Sequence, residues 1–507
     1  MGRTEKSIKN IIFGFASQIV TVIIGFFSKT LILDTLGIEY VSLNGLFHEV
    51  VAVLSLAELG MGSVIVYNLY RPLAENDQEK VSQIMTFYKR AYHIIAAVIM
   101  SAGVLVSIFI PLIVHDLSFT TGYERLVFIL VAAGTASSYL FSYKITIVNA
   151  DQKEYIYSFW STIFSVLSFL IKVAVLYYFK NFVIYLCVCI GLNLIINYSI
   201  TKRVEKHYPY LHTAQLPKED KNTIFDNIKN IVIKQISGKI TSSTDNMIIS
   251  AMVSTLMVGK YSFYATITGM IMSFTERIES GVKSGLGNLF ATGSTDDCER
   301  TIYRLTWLHN CLALFFCTCF FISCQSFITA WVGAKNLLEL NVVTIVAVNL
   351  FCYIVCKPIY AAMSVSGFFV EGRNISIIAS VANLIVSVIF AYYTGIFGVF
   401  LGTFVTYFLQ IVFKIHVVYK KKFKKPELGY HLYMLKDAVL FGILAFVGNY
   451  IGNYIDTSMP IVDFLIKGVI GAVLSLGTIL IVYHKSPYYV YFKNLAFGLI
   501  RRKSKKG

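Results

Sequence analysis

Apolar blocks of about 20–30 residues, split by short polar breaks, run along the whole chain, and a helix needs about 20 apolar residues to cross a bilayer. Each block therefore predicts a membrane-spanning helix. Fourteen are predicted, over 9–35, 41–70, 86–114, 123–150, 156–179, 182–201, 228–256, 260–289, 305–332, 340–367, 374–394, 397–419, 436–455 and 462–483. The stretch 488–500 is amphipathic and predicts an interfacial segment. The expected fold class is an all-α polytopic membrane protein.

Charge sets the orientation. Counted with the N-terminus inside, inner segments hold 31 of the 44 Lys and Arg residues and outer segments hold 6. The basic bias of cytoplasmic loops then predicts that both termini are cytoplasmic, and an even number of spans agrees. The net charge of +16 lies in these alternate loops rather than in one patch, so it argues for a membrane topology and against nucleic acid. Arg3, Lys6 and Lys9 precede the first block with no small-residue cleavage site after it, which predicts an uncleaved first span. The outer loops are short, and no soluble domain is expected on either side.

The chain reads as a repeat. Six spans precede the polar break 206–227 and six follow it; then come the basic run "KKKFKK" (420–425) and two more spans. "IKNI" occurs at Ile8–Ile11 and again at Ile228–Ile231, and the same spacing relates Thr35 to Thr255, Asp77 to Asp297, Glu79 to Glu299, Lys80 to Arg300 and Phe87 to Trp307. Six spans return the chain to its starting side, so the two lobes share one orientation, a parallel repeat. The expected organisation is an N-lobe over 1–205, a linker over 206–227, a C-lobe over 228–420, a helix pair over 421–485 and a basic cytoplasmic tail over 486–507. Two such lobes can rock about a central cavity and give alternating access.

Residues three and four apart share a helix face. By that spacing Asn44, His48, Ser55, Glu58 and Gly62 form one stripe on the second span. Gln18, Thr21, Gly25 and Lys29 form another on the first. Ser161, Ser165 and Ser168 lead to Lys172 on the fifth. Gly238, Thr241 and Asp245 align on the seventh, Thr266, Ser273 and Arg277 on the eighth beside Glu276 and Glu279, and Asn349, Tyr353 and Lys357 on the tenth. Unpaired charge facing lipid is costly, so the stripes should converge on a protein-lined cavity between the lobes. The expected cavity residues are Gln18, Lys29, Asn44, His48, Lys172, Arg277 and Lys357, and the candidates for ion coupling are Glu58, Asp245 and Glu276. A plainer reading stands beside this one. Ser and Thr in spans often bond the carbonyl one turn back, Lys144, Lys283 and Lys414 can snorkel, and Glu279 can pair with Lys283.

No hydrolytic or metal motif is present, and no phosphate-binding loop, so no cofactor is expected. Any driving force would be a proton or sodium gradient, the membrane potential or the cargo gradient. The nine cysteines lie mostly in apolar blocks and read as small core residues.

The blocks "TLGIEYVSLNGLF" (Thr35–Phe47) and "LSLAELGMGSVIVYNLYRPLAENDQEKVSQIMTFYKRAY" (Leu54–Tyr92) resemble the polysaccharide repeat-unit flippases of the multidrug/oligosaccharidyl-lipid/polysaccharide (MOP) exporter superfamily. The resemblance extends over nearly the whole chain. It implies translocation of an undecaprenyl-diphosphate-linked oligosaccharide from the inner to the outer leaflet of a bacterial cytoplasmic membrane, for capsule, exopolysaccharide or O-antigen. Polysaccharide polymerase and glycosyltransferases are then the implied partners. The related peptidoglycan-precursor flippases carry a basic residue and an acid after a Gly-Phe in the first span. Here Gly25-Phe26-Phe27 leads to Ser28-Lys29, with the base displaced by one position and the acid missing. Arg277 matches a basic residue in their eighth span.

Three rivals remain open. An ion-coupled multidrug exporter of the same superfamily would favour a cavity rich in Asp and Glu, whereas this sequence offers more base. A membrane-embedded polymerase or glycosyltransferase commonly needs a large outer loop or an inner catalytic domain. A structural scaffold has no use for buried charge.

Overall fold

The structure is a computed structural model and describes residues 3–58, 61–151, 153–221, 224 and 244–494. All regular elements among them are helical. Among the described residues eleven helices are long and apolar enough to cross a membrane, as a multi-pass membrane protein requires. They correspond to all the predicted spans except the second, seventh and eighth. The second is broken, most of the seventh lies outside the described residues, and the eighth is interrupted by the charges at 276–279.

The chain divides into two compact units, Met1–Ser262 and Phe263–Gly507. In the first unit α1 (Arg3–Leu36) packs on α7 (Glu154–Phe179), and α7 on α8 (Phe182–His207). α4 (Gln78–Ser107) packs on α5 (Thr121–Ser142), and α5 on α8. The predicted second span is not one helix. α2 (Ile38–Leu54) tightens into a 3-10 turn at Ser55–Glu58, and α3 (Met61–Glu75) resumes beyond it. Ser55 helps the tightening: its hydroxyl donates to the Val51 carbonyl at 2.9 Å. Glu58 therefore does not continue the α-helical face of Asn44 and His48, contrary to the stripe read from spacing. A shorter break separates α5 from α6 (Ile145–Ala150).

α9, described over 244–252, leads into α10 (Thr255–Thr292), within which the division between units falls. In the second unit α11 (Thr295–Val332) is the central helix, touching α12 (Leu340–Val355), α13 (Lys357–Val365), α16 (Leu428–Gly452) and α17 (Pro460–Tyr483). Pro358 near the start of α13 lacks an N–H, which accounts for the break after α12. α14 (Phe369–Thr394) and α15 (Ile396–Val418) form a tight hairpin. A Cβ at Gly398 would sit 2.2 Å from the Phe390 backbone, and one at Gly402 would sit 2.0 Å from the Ser387 hydroxyl. Such close backbone approach is the usual membrane packing device.

The thirteenth span begins earlier than hydropathy indicates, at Leu428, which places Asp437 in mid-helix and fully buried. It accepts hydrogen bonds from Asn310 at 2.5 Å and from Tyr483, and Lys436 lies 3.5 Å away. One carboxylate thus ties the last two helices to α11.

Polar clasps close the ends of both units. The segment after α8 runs along the first turns of α4: His212 meets Glu79 at 2.9 Å, Lys80 meets Asp220, and the Thr86 hydroxyl donates to the His212 carbonyl. In the second unit Lys425 meets Asp296 and Glu299, Lys421 meets Glu371, and Lys422 donates to the Phe290 carbonyl. Much of the "KKKFKK" run is therefore neutralised within its own unit. Glu79 and Glu299, matched in the sequence repeat, each hold a base from the segment after the sixth and twelfth predicted spans. Asp77 and Asp297 do not play matching parts. Asp77 caps α4, whereas α11 is capped by Ser294, with Asp297 bonded back to that serine.

Candidate functional site: a polar cavity and two charged clusters

Within the first unit, α2, α5, α7 and α8 enclose a cavity of about 570 Å³. Asn44 and His48, one turn apart on α2, face it, as do Ser161, Ser165, Ser168 and Lys172 on α7. The stripes predicted on the second and fifth spans thus meet here, bringing together three of the predicted site residues. α8 supplies Asn193 and Asn197 at the same one-turn spacing, a signal that the sequence carried and that was passed over. These two are locked. Asn197 donates to the Asn193 side-chain oxygen at 2.6 Å, and Asn193 donates to the Gly134 carbonyl and the Ser137 hydroxyl, each at 3.2 Å.

The described residues of the lining include no Asp or Glu. Among the described residues, no carboxylate lies within ion-pair distance of Lys172, and the polar ends of Asn44, His48 and Lys172 make no hydrogen bond within the protein. The α7 serines behave likewise, although the neighbouring Thr162 does bond back to the Ser158 carbonyl at 2.7 Å. The back-bonding that often explains span serines is thus absent from these α7 serines, although Thr135 and Ser138 of α5, which also line the cavity, do bond back to their own helix. A lysine kept inside a membrane domain without a partner is costly. Its position is explained by hydration or by an anion.

Glu58 occupies a separate place in the same unit. Its two carboxylate oxygens accept from Tyr92, at 2.6 Å, and from Tyr139. Tyr88 stacks edge-on against Tyr92 at 4.3 Å between centroids and receives the Thr146 hydroxyl at 3.3 Å. Glu58 is held by phenols rather than by a cavity Lys or Arg. Composition hides this cage, since 33 tyrosines occur along the chain; Tyr88 and Tyr92 share a helical spacing on α4, but nothing in the sequence ties Tyr139 or Glu58 to them.

The remaining candidates lie elsewhere. Lys29 donates to the Ser262 carbonyl at 2.6 Å, joining α1 to α10 within the first unit. Gln18 is half-buried on α1 and outside the cavity lining. Asp245 is buried on α9, with Tyr261 among its electrostatic neighbours. Gly238, Thr241 and the side chain of Lys283 lie outside the described residues.

In the second unit Lys357, at the start of α13, donates to the Tyr353 hydroxyl at 2.9 Å and lies 3.6 Å from both Glu276 and Glu279. Tyr353 in turn donates to Glu276. The pairing of Glu279 is thus to Lys357 on another helix. Arg277 is exposed on α10. Among the described residues no group of His, Cys, Asp and Glu is arranged to hold a metal ion.

No family model matches the chain, and no curated protein matches its sequence. Solved structures do. The lipid II flippase MurJ, in an inward closed conformation, superposes with a TM-score of 0.71 at 16% identity, covering 94% of this chain and 99% of that one. The chain shares the fold of that structure. An inward-facing multidrug resistance MATE transporter of the MOP superfamily gives a TM-score of 0.64 at 13% identity over 84% of this chain and 95% of that one. A MATE transporter of Vibrio cholerae gives 0.60 at 11% identity over 84% and 98%. At these identities the likeness concerns the fold, and what is particular to this chain is the chemistry of its own polar cavity.

Proposed function

We propose that this protein is a flippase that carries an undecaprenyl-diphosphate-linked oligosaccharide across a bacterial cytoplasmic membrane for capsule, exopolysaccharide or O-antigen synthesis. The observation that carries the reading is the first-unit cavity, lined by hydroxyls, amides and one unpaired lysine, with no carboxylate. Hydroxyls and amides match a glycan, and a cation matches an anionic cargo. MurJ, whose structure has the same fold, is a lipid II flippase.

In this reading both termini are cytoplasmic, and two parallel lobes alternate access. The chemistry is movement of cargo rather than bond making. Lys29, Arg277 and Lys357 are the cations available to the diphosphate, and Gln18 is a further polar contact. Coupling to a proton or sodium gradient would run through Glu58, Asp245 or Glu276. Polymerase and glycosyltransferases act after and before it. An ion-coupled multidrug exporter is the second reading, favoured by the MATE neighbours. A carboxylate-free cavity is poor for organic cations.

Deletion of the gene tests the proposal. Surface polysaccharide should be lost, with the lipid-linked unit accumulating in the inner leaflet. Undiminished exposure of that unit in the outer leaflet would contradict it.

A further inference from the structure

The first-unit cavity carries more than a general polarity. Among the described residues its lining holds one ammonium, Lys172, and no carboxylate. Among the described residues no carboxylate pairs with Lys172, whose electrostatic neighbour is the Cys189 thiol, and the side-chain polar groups of Asn44 and His48 and the hydroxyls of Ser161, Ser165 and Ser168 make no hydrogen bond. By contrast Asn193 and Asn197 bond each other and the α5 backbone and form a fixed wall. The unsatisfied groups therefore lie on α2 and α7.

Apart from the buried Ser168, these groups are half-buried or exposed rather than sealed in the core, so they can meet a polar guest in the cavity they line. At about 570 Å³ the cavity is within the range of small-molecule sites and far larger than one inorganic ion needs. Tyr157, Phe169 and Tyr185 add aromatic surface to the lining, against which the apolar face of a sugar ring can rest. The charge count narrows the guest further. One lysine balances one carboxylate. A diphosphate brings at least two charges, and the lining offers it no second permanent cation.

We infer that this cavity is a recognition site for an acidic sugar, a uronic-acid-like unit within the transported glycan, with Lys172 facing its carboxylate. The inference rests on the flippase reading for the glycan's origin. The diphosphate is then held elsewhere, and Lys172 selects which glycan is carried.

Equilibrium dialysis on the purified full-length protein in chloride-free buffer tests this with labelled glucuronate, glucose as a neutral competitor and sodium chloride as an inorganic one. Glucuronate should bind saturably, one per chain, with glucose and millimolar chloride failing to displace it. Lys172→Gln should weaken binding at least tenfold, and Lys172→Arg should retain it. Absence of glucuronate binding by the unmodified protein, equal competition by glucose, or full displacement by millimolar chloride would each overturn the inference, the last assigning the cavity to a free anion. These arms need no variant, so poor folding of Lys172→Gln leaves the test intact. Dialysis reads no transport. Binding without flipping would sink the flippase reading and spare the site, and flipping without binding would do the reverse.

Discussion

At the residue scale, Glu58 shows how a costly group is made tolerable. A carboxylate within a span costs about 2.5–3.5 kcal/mol on insertion scales, and here two tyrosine hydroxyls offset part of that cost. Tyr139→Phe removes one donor and should destabilise the first unit by about 1–3 kcal/mol, read as a lower melting temperature in detergent. Glu58→Gln should be milder, because an amide can accept from one phenol and donate to the other. If Glu58 is the coupling group, that same variant loses the ion dependence of transport. Full ion dependence in Glu58→Gln would remove Glu58 from that role. The sequence exposed the carboxylate but not its cage, because helical spacing was extended through Ser55–Glu58, where the helix tightens. Asn44, His48, Ser161 and Lys172 were legible, since each lies on an unbroken helix where spacing and facing agree.

At the scale of elements, the segment after α8 is a docked strap rather than a free linker. His212 lies outside the spans, and its imidazole is pushed above its ordinary value, first by the Tyr210 carbonyl and then by Glu79. A raised imidazole contributes its full hold below the ordinary value of 6.5 and loses it as pH rises through the folded value. Proteolysis within 208–221 should accordingly be slower at pH 6 than at pH 8, and Glu79→Gln should reduce that difference; a pH-independent rate would contradict this. Hydropathy located the apolar middles of the helices well and their polar ends poorly. α11 begins at Thr295 and α16 at Leu428, each well before its apolar block, because those turns are held by ion pairs and phenols that hydropathy scores as loop. Asp437 falls at the edge of the predicted span 436–455, and the earlier start at Leu428 moves it to mid-helix.

At the scale of the whole molecule, the apolar blocks made the class of protein readable, and the resemblance named the superfamily whose fold the structure has. The cargo was less legible, since it depends on which polar groups lack partners, and that is a property of assembled helices. The central claim is that the protein flips a lipid-linked oligosaccharide. Purified protein reconstituted into vesicles carrying labelled undecaprenyl-diphosphate-linked oligosaccharide in both leaflets tests it most directly, with a glycosidase added outside. The account predicts that the fraction protected from the enzyme falls with time only when the protein is present, and more slowly with Lys172→Gln for an acidic glycan. A protected fraction that stays as high as in protein-free vesicles would contradict it.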